Sequence, residues 1–384
     1  MQKQRPFKKD FVLLCLQAAL VSFSIGATAP LIPSIAATFG QKSLIMGRIS
    51  WLYMIPYGAC ALLWAPLTHR VTVKQLLNIS FLFFSLCLLG MGCAQSASGA
   101  FVMSFLMGVC GSSTTPLALI LIGHSIKTHK GKYVGAYFSG TFIASLASQL
   151  LSSVLPWRFI YIIPGILGVM LSVMTFLCLA RFDLRQSSVR ITYHRTLKNS
   201  TVFRFVVLIF FSSFMYHTIH QWLGVYFKEQ RQLSQFLTSL FFAFFSICAF
   251  GLEFWGGFIT DQRKKTEVFK AGLLMMFFFI SGMFLLRHSN PLWLLLLVPL
   301  WGGGWAFSHV GLSSYLASLP DVFLRDTSSL NSAVRFLSGG LGAWYGGKMI
   351  QTAGFSAHYI ITAAFFLVLW RISGWLVREH EIVA

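Results

Sequence analysis

Acidic side chains are what this sequence has least of. Of 384 residues only 10 are Asp or Glu, against 30 Lys or Arg, and charged residues of either sign make up 10% of the chain. A water-soluble domain carries roughly a quarter charged residues, so the polar coat such a domain needs is missing. Paired carboxylates, a His-rich metal box and a nucleophile motif are also missing, which argues against an enzyme. No cofactor and no metal are expected. The seven cysteines (Cys15, Cys60, Cys87, Cys93, Cys110, Cys178, Cys248) all fall inside apolar runs. Neither a disulfide nor a zinc site is expected of them, since both need convergent ligands outside hydrocarbon.

What the chain does have is apolar length. Hydrophobic residues reach 56% and the mean hydropathy is +0.71, an excess that calls for a lipid solvent. A membrane span takes about 20 mostly apolar residues. Twelve such runs occur, at 11–36, 49–68, 76–94, 100–125, 134–155, 158–180, 204–226, 236–260, 268–286, 292–318, 328–351 and 357–377. The first follows Lys3, Arg5, Lys8 and Lys9 and exceeds the ~7–15 residues of a signal-peptide core, so it reads as a retained helix.

The basic residues sort by gap. Lys42, Arg48, Arg158, Lys228, Arg231 and Arg287 fall in one set of alternate gaps, and Arg335, Lys348 and Arg371 lie within runs. All the others fall at the termini or in the opposite set of gaps. Cytoplasmic segments of membrane proteins carry the excess of Lys and Arg, so both termini are expected in the cytoplasm and the protein in the cell inner membrane. The net charge of +20 thus reads as topology, with the bilayer as partner and no nucleic acid. The longest hydrophilic stretch, 181–203, divides the runs six and six. It reads as a cytoplasmic linker between a 1–180 bundle and a 204–384 bundle, an all-α membrane fold of two pseudo-symmetric halves. A solvated loop is the favoured form of the linker. An amphipathic helix on anionic lipid is the alternative.

The halves share a motif. After the second run stands Ala65-Pro66-Leu67-Thr68-His69-Arg70-Val71-Thr72-Val73-Lys74, and after the eighth Gly257-Phe258-Ile259-Thr260-Asp261-Gln262-Arg263-Lys264-Lys265. Pro156-Trp157-Arg158-Phe159-Ile160 opens the sixth run, and Ser329-Leu330-Asn331-Ser332-Ala333-Val334-Arg335-Phe336 leads into a glycine-rich eleventh. In this layout and these motifs the chain resembles the major facilitator superfamily, and in the eleventh run its drug-efflux-like members. The resemblance implies twelve helices, no enzymatic activity, a small-molecule substrate moved by alternating access, protons as a coupling partner, and a monomer.

It also implies a cytoplasmic gate in which an acid faces the positive N-terminus of a neighbouring helix. His69 stands where the N-terminal acid belongs, beside Arg70; Asp261 and Arg263 keep the C-terminal copy. A weakened latch is expected. Gly131, Gly135 and Gly140 and the glycines of the eleventh run are expected at close helix approaches. Pro30, Pro33 and Gly302-Gly303-Gly304 either loosen their helices or are simply tolerated within them, as Pro and Gly are in membrane helices.

Ionisable groups in hydrocarbon cost roughly 2.5–3.5 kcal/mol on insertion scales and are functional candidates by default. Glu253 is the only acid well inside a run. Eight residues before Asp261, it lies about 12 Å in from that end at 1.5 Å per residue. Arg335 lies at similar depth in the eleventh run. The two are expected to interact across a cavity, or else to tie their helices together. His217 and His220 share a helix face, and His309 follows Trp305 at helical spacing. In the family the first, fourth, seventh and tenth helices line the cavity, which adds Gln17, with Ser24 and Thr28. The pathway candidates are therefore Glu253, Arg335, His217, His220, His309, Gln17, Asn331 and Trp305. Each histidine has packing as its alternative role. Met103, Met107 and Cys110 form a soft stripe able to pass Cu(I), although Met and Cys are also ordinary fillers.

The first six runs hold no buried acid, and Ser104 stands where many proton-coupled efflux members carry Arg. Any coupling site is therefore expected in the C-terminal half. The leading reading is a secondary transporter of a small organic solute, with export favoured slightly. The alternatives are an importer of an organic anion or siderophore-like compound, and a non-transporting sensor or assembly factor of the same fold.

Overall fold

A computed structural model describes residues 8–126, 130–179, 193–317 and 321–376. Among them the regular structure is helical, and each of the twelve apolar runs has its helix. They are α1 (Lys8–Thr38), α2 (Arg48–Leu67), α3 (Val73–Gly92), α4 (Ala97–Gly111, resumed as Thr114–Ser125), α5 (Lys130–Ser152), α6 (Trp157–Cys178), α7 (Ser200–His220), α8 (Gln235–Gln262), α9 (Lys265–Leu285) and α10 (Val298–Ala317). A last helical stretch, Asp321–Leu376, breaks at Gly354 into α11 (321–353) and α12 (355–376). Gly354 has φ +76°, a conformation glycine reaches without a Cβ penalty. Nine described helical segments are long and apolar enough to cross a membrane, with α11 and α12 merged as one. The two that fall short are α2, which holds Trp, Tyr and Pro, and α5, which holds Ser139, Thr141, Ser145, Ser148, Gln149 and Ser152.

Local chemistry sets the helix starts. Thr72 and Gln75 form a reciprocal capping box at α3, Asn199 accepts the amides of Thr201 and Val202 at α7, and Ser234 accepts that of Leu237 at α8. Side-chain oxygens there satisfy amides that the helix itself leaves open. The break in α4 falls where Ser112 and Ser113 turn their hydroxyls back onto the carbonyls of Val109 and Cys110, a competition that bends helices. The apolar run 100–125 is therefore two helical pieces rather than one unbroken span.

The chain divides into two compact units, Met1–Ile191 and Thr192–Ala384. Each packs its six helices by the same scheme. In the first, α1 lies on α5, α3 on α6, α2 on α4 and α3 on α4; in the second, α7 lies on α11, α9 on α12, α8 on α10 and α9 on α10. Close approaches repeat too. A Cβ on Gly108 (α4) would meet the carbonyl of Tyr53 (α2), and one on Gly302 (α10) would meet that of Phe245 (α8). Small residues let backbones approach where lipid offers no hydrophobic drive between helices. Residues 181–192 of the predicted linker lie outside the described residues. Its remainder is not plain loop, since Tyr193–Leu197 is a short helix and α7 begins at Ser200 rather than 204. The Thr196 hydroxyl donates to Asp326 at 2.7 Å, holding this segment against the start of α11.

Of the two readings of the prolines and glycines, simple tolerance fits the helices, and one expected close approach is corrected. α1 runs unbroken through Pro30 and Pro33, and α10 runs unbroken through its three glycines. Gly302 and Gly304 instead admit α8 and α9, so they serve contact rather than bending. In α5, a Cβ on Gly135 or Gly140 would meet nothing within 4 Å, whereas those of Gly342, Gly346 and Gly347 in α11 would strike Phe214, Thr218 and Trp222. Close approach therefore belongs to α11 and not to these α5 positions; Gly131 is outside the described side chains. All seven cysteines are free.

Candidate functional site

The second unit gathers most of the candidate side chains. Glu253 on α8 meets His309 on α10, with His309 Nδ1 2.7 Å from Glu253 Oε1. The side chains are 28% (His309) and 18% (Glu253) exposed, so water reaches the pair without filling it. With the imidazole protonated, this contact is an ion pair. Glu253 Oε2 has no hydrogen-bond partner among the described residues, which leaves one carboxylate oxygen free to accept.

Trp305, one turn before His309 on α10, is the hub. Its ring centroid lies 6.0 Å from His309, 4.0 Å from Tyr216 and 5.6 Å from His217, and Arg335 Cζ lies 5.8 Å from it. A guanidinium over an indole gains from the ring quadrupole, most of all where water is excluded. Arg335 on α11 is buried. Its Nε donates to Asn331 Oδ1 at 2.8 Å and its Nη2 to Ser313 Oγ at 3.4 Å, while Nη1 has no partner among the described residues. A buried guanidinium with an open N–H is a donor waiting for an acceptor, because leaving such a group unmade is costly.

The histidines of α7 divide in role. His217 Nδ1 lies 2.8 Å from the Ser213 carbonyl. A carbonyl only accepts, so Nδ1 carries the proton and Nε2 is left as the acceptor of the neutral ring. The Ser213 hydroxyl donates to the Arg335 carbonyl at 2.8 Å, joining α7 to α11 behind the guanidinium. His220 accepts from Trp301 Nε1 at 3.3 Å and stacks on Tyr216 with centroids 4.9 Å apart. It borders an apolar cavity of about 10 Å³ with Phe242, Phe245 and Trp301, room for about one water and for no organic solute. His220 is thus a packing residue on this geometry.

The structure brings Glu253, His309, Trp305, His217, Arg335 and Asn331 into one connected patch. The direct partners of Glu253 and Arg335 are His309 and Asn331, and Trp305 lies between the two pairs. Tyr216 and Ser313 join the patch without having been singled out by sequence. Ser313 sits one turn after His309, a spacing that could have flagged it. Tyr216 sits one turn before His220, a spacing that could have flagged it as well.

Gln17 belongs to the first unit. It is fully buried and donates to Thr175 at 2.9 Å, tying α1 to α6. At the expected gate, His69 is half-buried in the turn after α2 and Arg70 is exposed, as is Arg263 after α8. The side chain of Asp261 is outside those described.

With this geometry in place, comparison gives the family. The model of the Major Facilitator Superfamily matches residues 14–343. The chain belongs to the major facilitator superfamily. It is accordingly a multi-pass membrane protein from a family of solute transporters rather than enzymes. Solved structures share its fold. The D-xylose–proton symporter aligns at TM-score 0.80 and 12% identity, over 98% of this chain and 99% of that one. A bacterial homologue of the human lysosomal transporter Spinster aligns at 0.79 and 13%, over 97% of each chain. The human organic anion transporter MFSD10 aligns at 0.73 and 12%, over 96% and 100%. No curated protein matches at the level of sequence. At such identities the structural likeness speaks for the fold alone.

Proposed function

We propose that this chain is a proton-coupled secondary transporter that moves a small organic solute carrying a carboxylate or similar acceptor by alternating access. The observation that carries this reading is the patch of the second unit. Glu253 shares a proton-sized contact with His309, and Arg335 has an unpartnered N–H on a buried guanidinium. A proton arriving at the Glu253–His309 pair changes the local charge by one unit at a site that feels Arg335. Protonation and anion binding are thereby linked electrostatically in low dielectric.

Export from the cytoplasm is the working direction, supported by the drug-efflux-like pattern of α11, in a cell inner membrane with both termini cytoplasmic. Import of an organic anion is the second reading, favoured by the open donor of Arg335. His69, Arg70, Asp261 and Arg263 are assigned to the cytoplasmic gate.

The test is flux in proteoliposomes with and without an imposed pH gradient, using organic-anion candidates that first raise the thermal stability of the purified protein. Gradient-driven uptake in one orientation fixes the direction. A wild type that moves no hit, or moves hits indifferently to the gradient between about pH 5.5 and 7.5, where histidine ordinarily titrates, defeats the coupling proposal.

A further inference from the structure

A second polar site lies away from this patch, where the start of α9 meets the end of α12. Lys270, Arg371, Ile372, Gly374 and Trp375 line a cleft of about 560 Å³. Lys270 is held in place by its neighbour Trp370, with Nζ 4.8 Å from the ring centroid, and Gly374 leaves room for its ammonium. Two cations face one cleft whose lining includes no acid. Glu267, one turn before Lys270, is exposed and is not part of that lining. Like charges gathered this way repel unless an anion sits between them.

The surroundings identify the anion. Lys270 lies five residues into α9, about 7–8 Å from its start, the depth of an interfacial layer, and Arg371 of α12 lines the same cleft. Trp375, 68% exposed, lies at the same level as an interfacial anchor would. Below it Ile372, Val368 and Ile361 continue the same helix face, and all are exposed apolar side chains. A charged cleft opening onto a lipid-facing stripe fits a molecule with a phosphate at one end and an acyl chain at the other. We propose that the α9–α12 cleft binds the headgroup of an anionic phospholipid, with the phosphate between Lys270 and Arg371 and an acyl chain along Ile372, Val368 and Ile361.

The first unit supplies an internal control. Lys74 at the start of α3 lies 5.9 Å from the ring of Phe176 near the end of α6, the same placement by the repeated packing scheme. The described end of α6, residues 171–179, carries neither a cation nor a tryptophan.

The experiment is native mass spectrometry of the full chain in detergent, titrated with phosphatidylglycerol or phosphatidylcholine, with and without millimolar inorganic phosphate. Wild type should retain phosphatidylglycerol preferentially, and phosphate should not displace it. The double variant Lys270→Gln/Arg371→Gln should bind phosphatidylglycerol about tenfold more weakly or worse, given roughly 1 kcal/mol per basic residue near a lipid surface. Lys74→Gln should bind as wild type does. Equal affinity in the double variant, equal retention of phosphatidylcholine, or displacement by inorganic phosphate would each overturn the proposal, the last in favour of a free phosphate site. Should the double variant not purify, Arg371→Gln alone changes an exposed side chain and should weaken binding about fivefold. No change there also overturns it.

Discussion

The two units solve the same packing problem and carry different chemistry. Their helices pair by one scheme, and each unit uses an arginine to close the end of its third helix. Arg158, at the start of α6, donates to the carbonyls of Gly92 and Ala94 at 2.8 Å. Arg231, in the loop before α8, donates to the carbonyls of Leu286, at 3.0 Å, and Ser289. Both cations satisfy carbonyls that the helix leaves open and sit at the negative end of its dipole. The polar interiors differ. In the first unit the contacts between helices include the neutral pairs Ser80 with Ser113 at 2.6 Å, Trp64 with Ser112 at 2.7 Å and Gln17 with Thr175 at 2.9 Å. In the second they include an acid, a guanidinium and two imidazoles around Trp305. Neutral hydroxyls and amides tie helices together at little cost, whereas charges in hydrocarbon persist only under selection for a use. Under the proposed function, both units supply scaffold and the second carries the ion chemistry.

The most severe way to break that assignment is to remove the acid. Glu253→Gln should abolish the response of flux to a pH gradient, a loss of about tenfold or more, and leave downhill exchange measurable. No substitution among Gln17, Ser80 or Trp64 should do so. A gradient response that survives Glu253→Gln but disappears on a change in the first unit would reverse the division.

Next in size is the symmetric part. Arg158→Ala and Arg231→Ala each strip two carbonyl contacts made by a charged donor. Hydrogen bonds to charged groups are worth roughly 1.5–3 kcal/mol, so each variant should lose stability of that order in a thermal or denaturant assay in detergent. Neither should alter proton coupling. If Arg231→Ala changed the pH response while Arg158→Ala did not, the loop would belong to the chemistry and not to the scaffold.

These arginines also show what the sequence could and could not convey. The twelve helices and their division six and six are legible because hydropathy and charge sorting are properties of composition along the chain. Partner choice is a property of rotation about helix axes, which pattern fixes only loosely. So the sequence sets Glu253 opposite Arg335, whereas its contact is His309, reached by a one-turn offset on α10. Gln17 is a pathway candidate by its helix number, and its contact with Thr175 of α6 is visible only in three dimensions. The glycines of α10 look like hinges in one dimension and are contact surfaces in three.

A finer cut concerns coupling inside the patch. A double-mutant cycle of Glu253→Gln with His309→Gln should give an interaction of about 1–3 kcal/mol, as for residues in direct hydrogen-bonded contact. The cycle with Arg335→Gln should give less than about 1 kcal/mol. Measured on thermal stability and on substrate affinity, the order of the two cycles is the prediction. A stronger coupling to Arg335 than to His309 would mean that the direct pair is the acid with the guanidinium, and that His309 is a bystander.

The smallest expected effect tests the neutral half. Gln17 is buried between α1 and α6, donates one hydrogen bond to Thr175, and leaves its Oε1 without a partner among the described residues. Gln17→Leu removes the donor together with that unsatisfied acceptor and keeps most of the volume. The Thr175 hydroxyl still donates to the Leu171 carbonyl at 2.8 Å, so it is not stranded. A neutral hydrogen bond contributes about 0.5–1.5 kcal/mol net, and relief of the orphan oxygen offsets part of that. The variant should therefore lie within about 1 kcal/mol of wild type in stability, with unchanged substrate affinity and an unchanged pH profile. The affinity measurement decides the point. A Gln17 on the solute's path would lower affinity on substitution while leaving stability intact, whereas a Gln17 that only joins two helices shifts stability slightly and affinity not at all. The first outcome would bring the first unit into substrate recognition and limit the asymmetry between the units to protons.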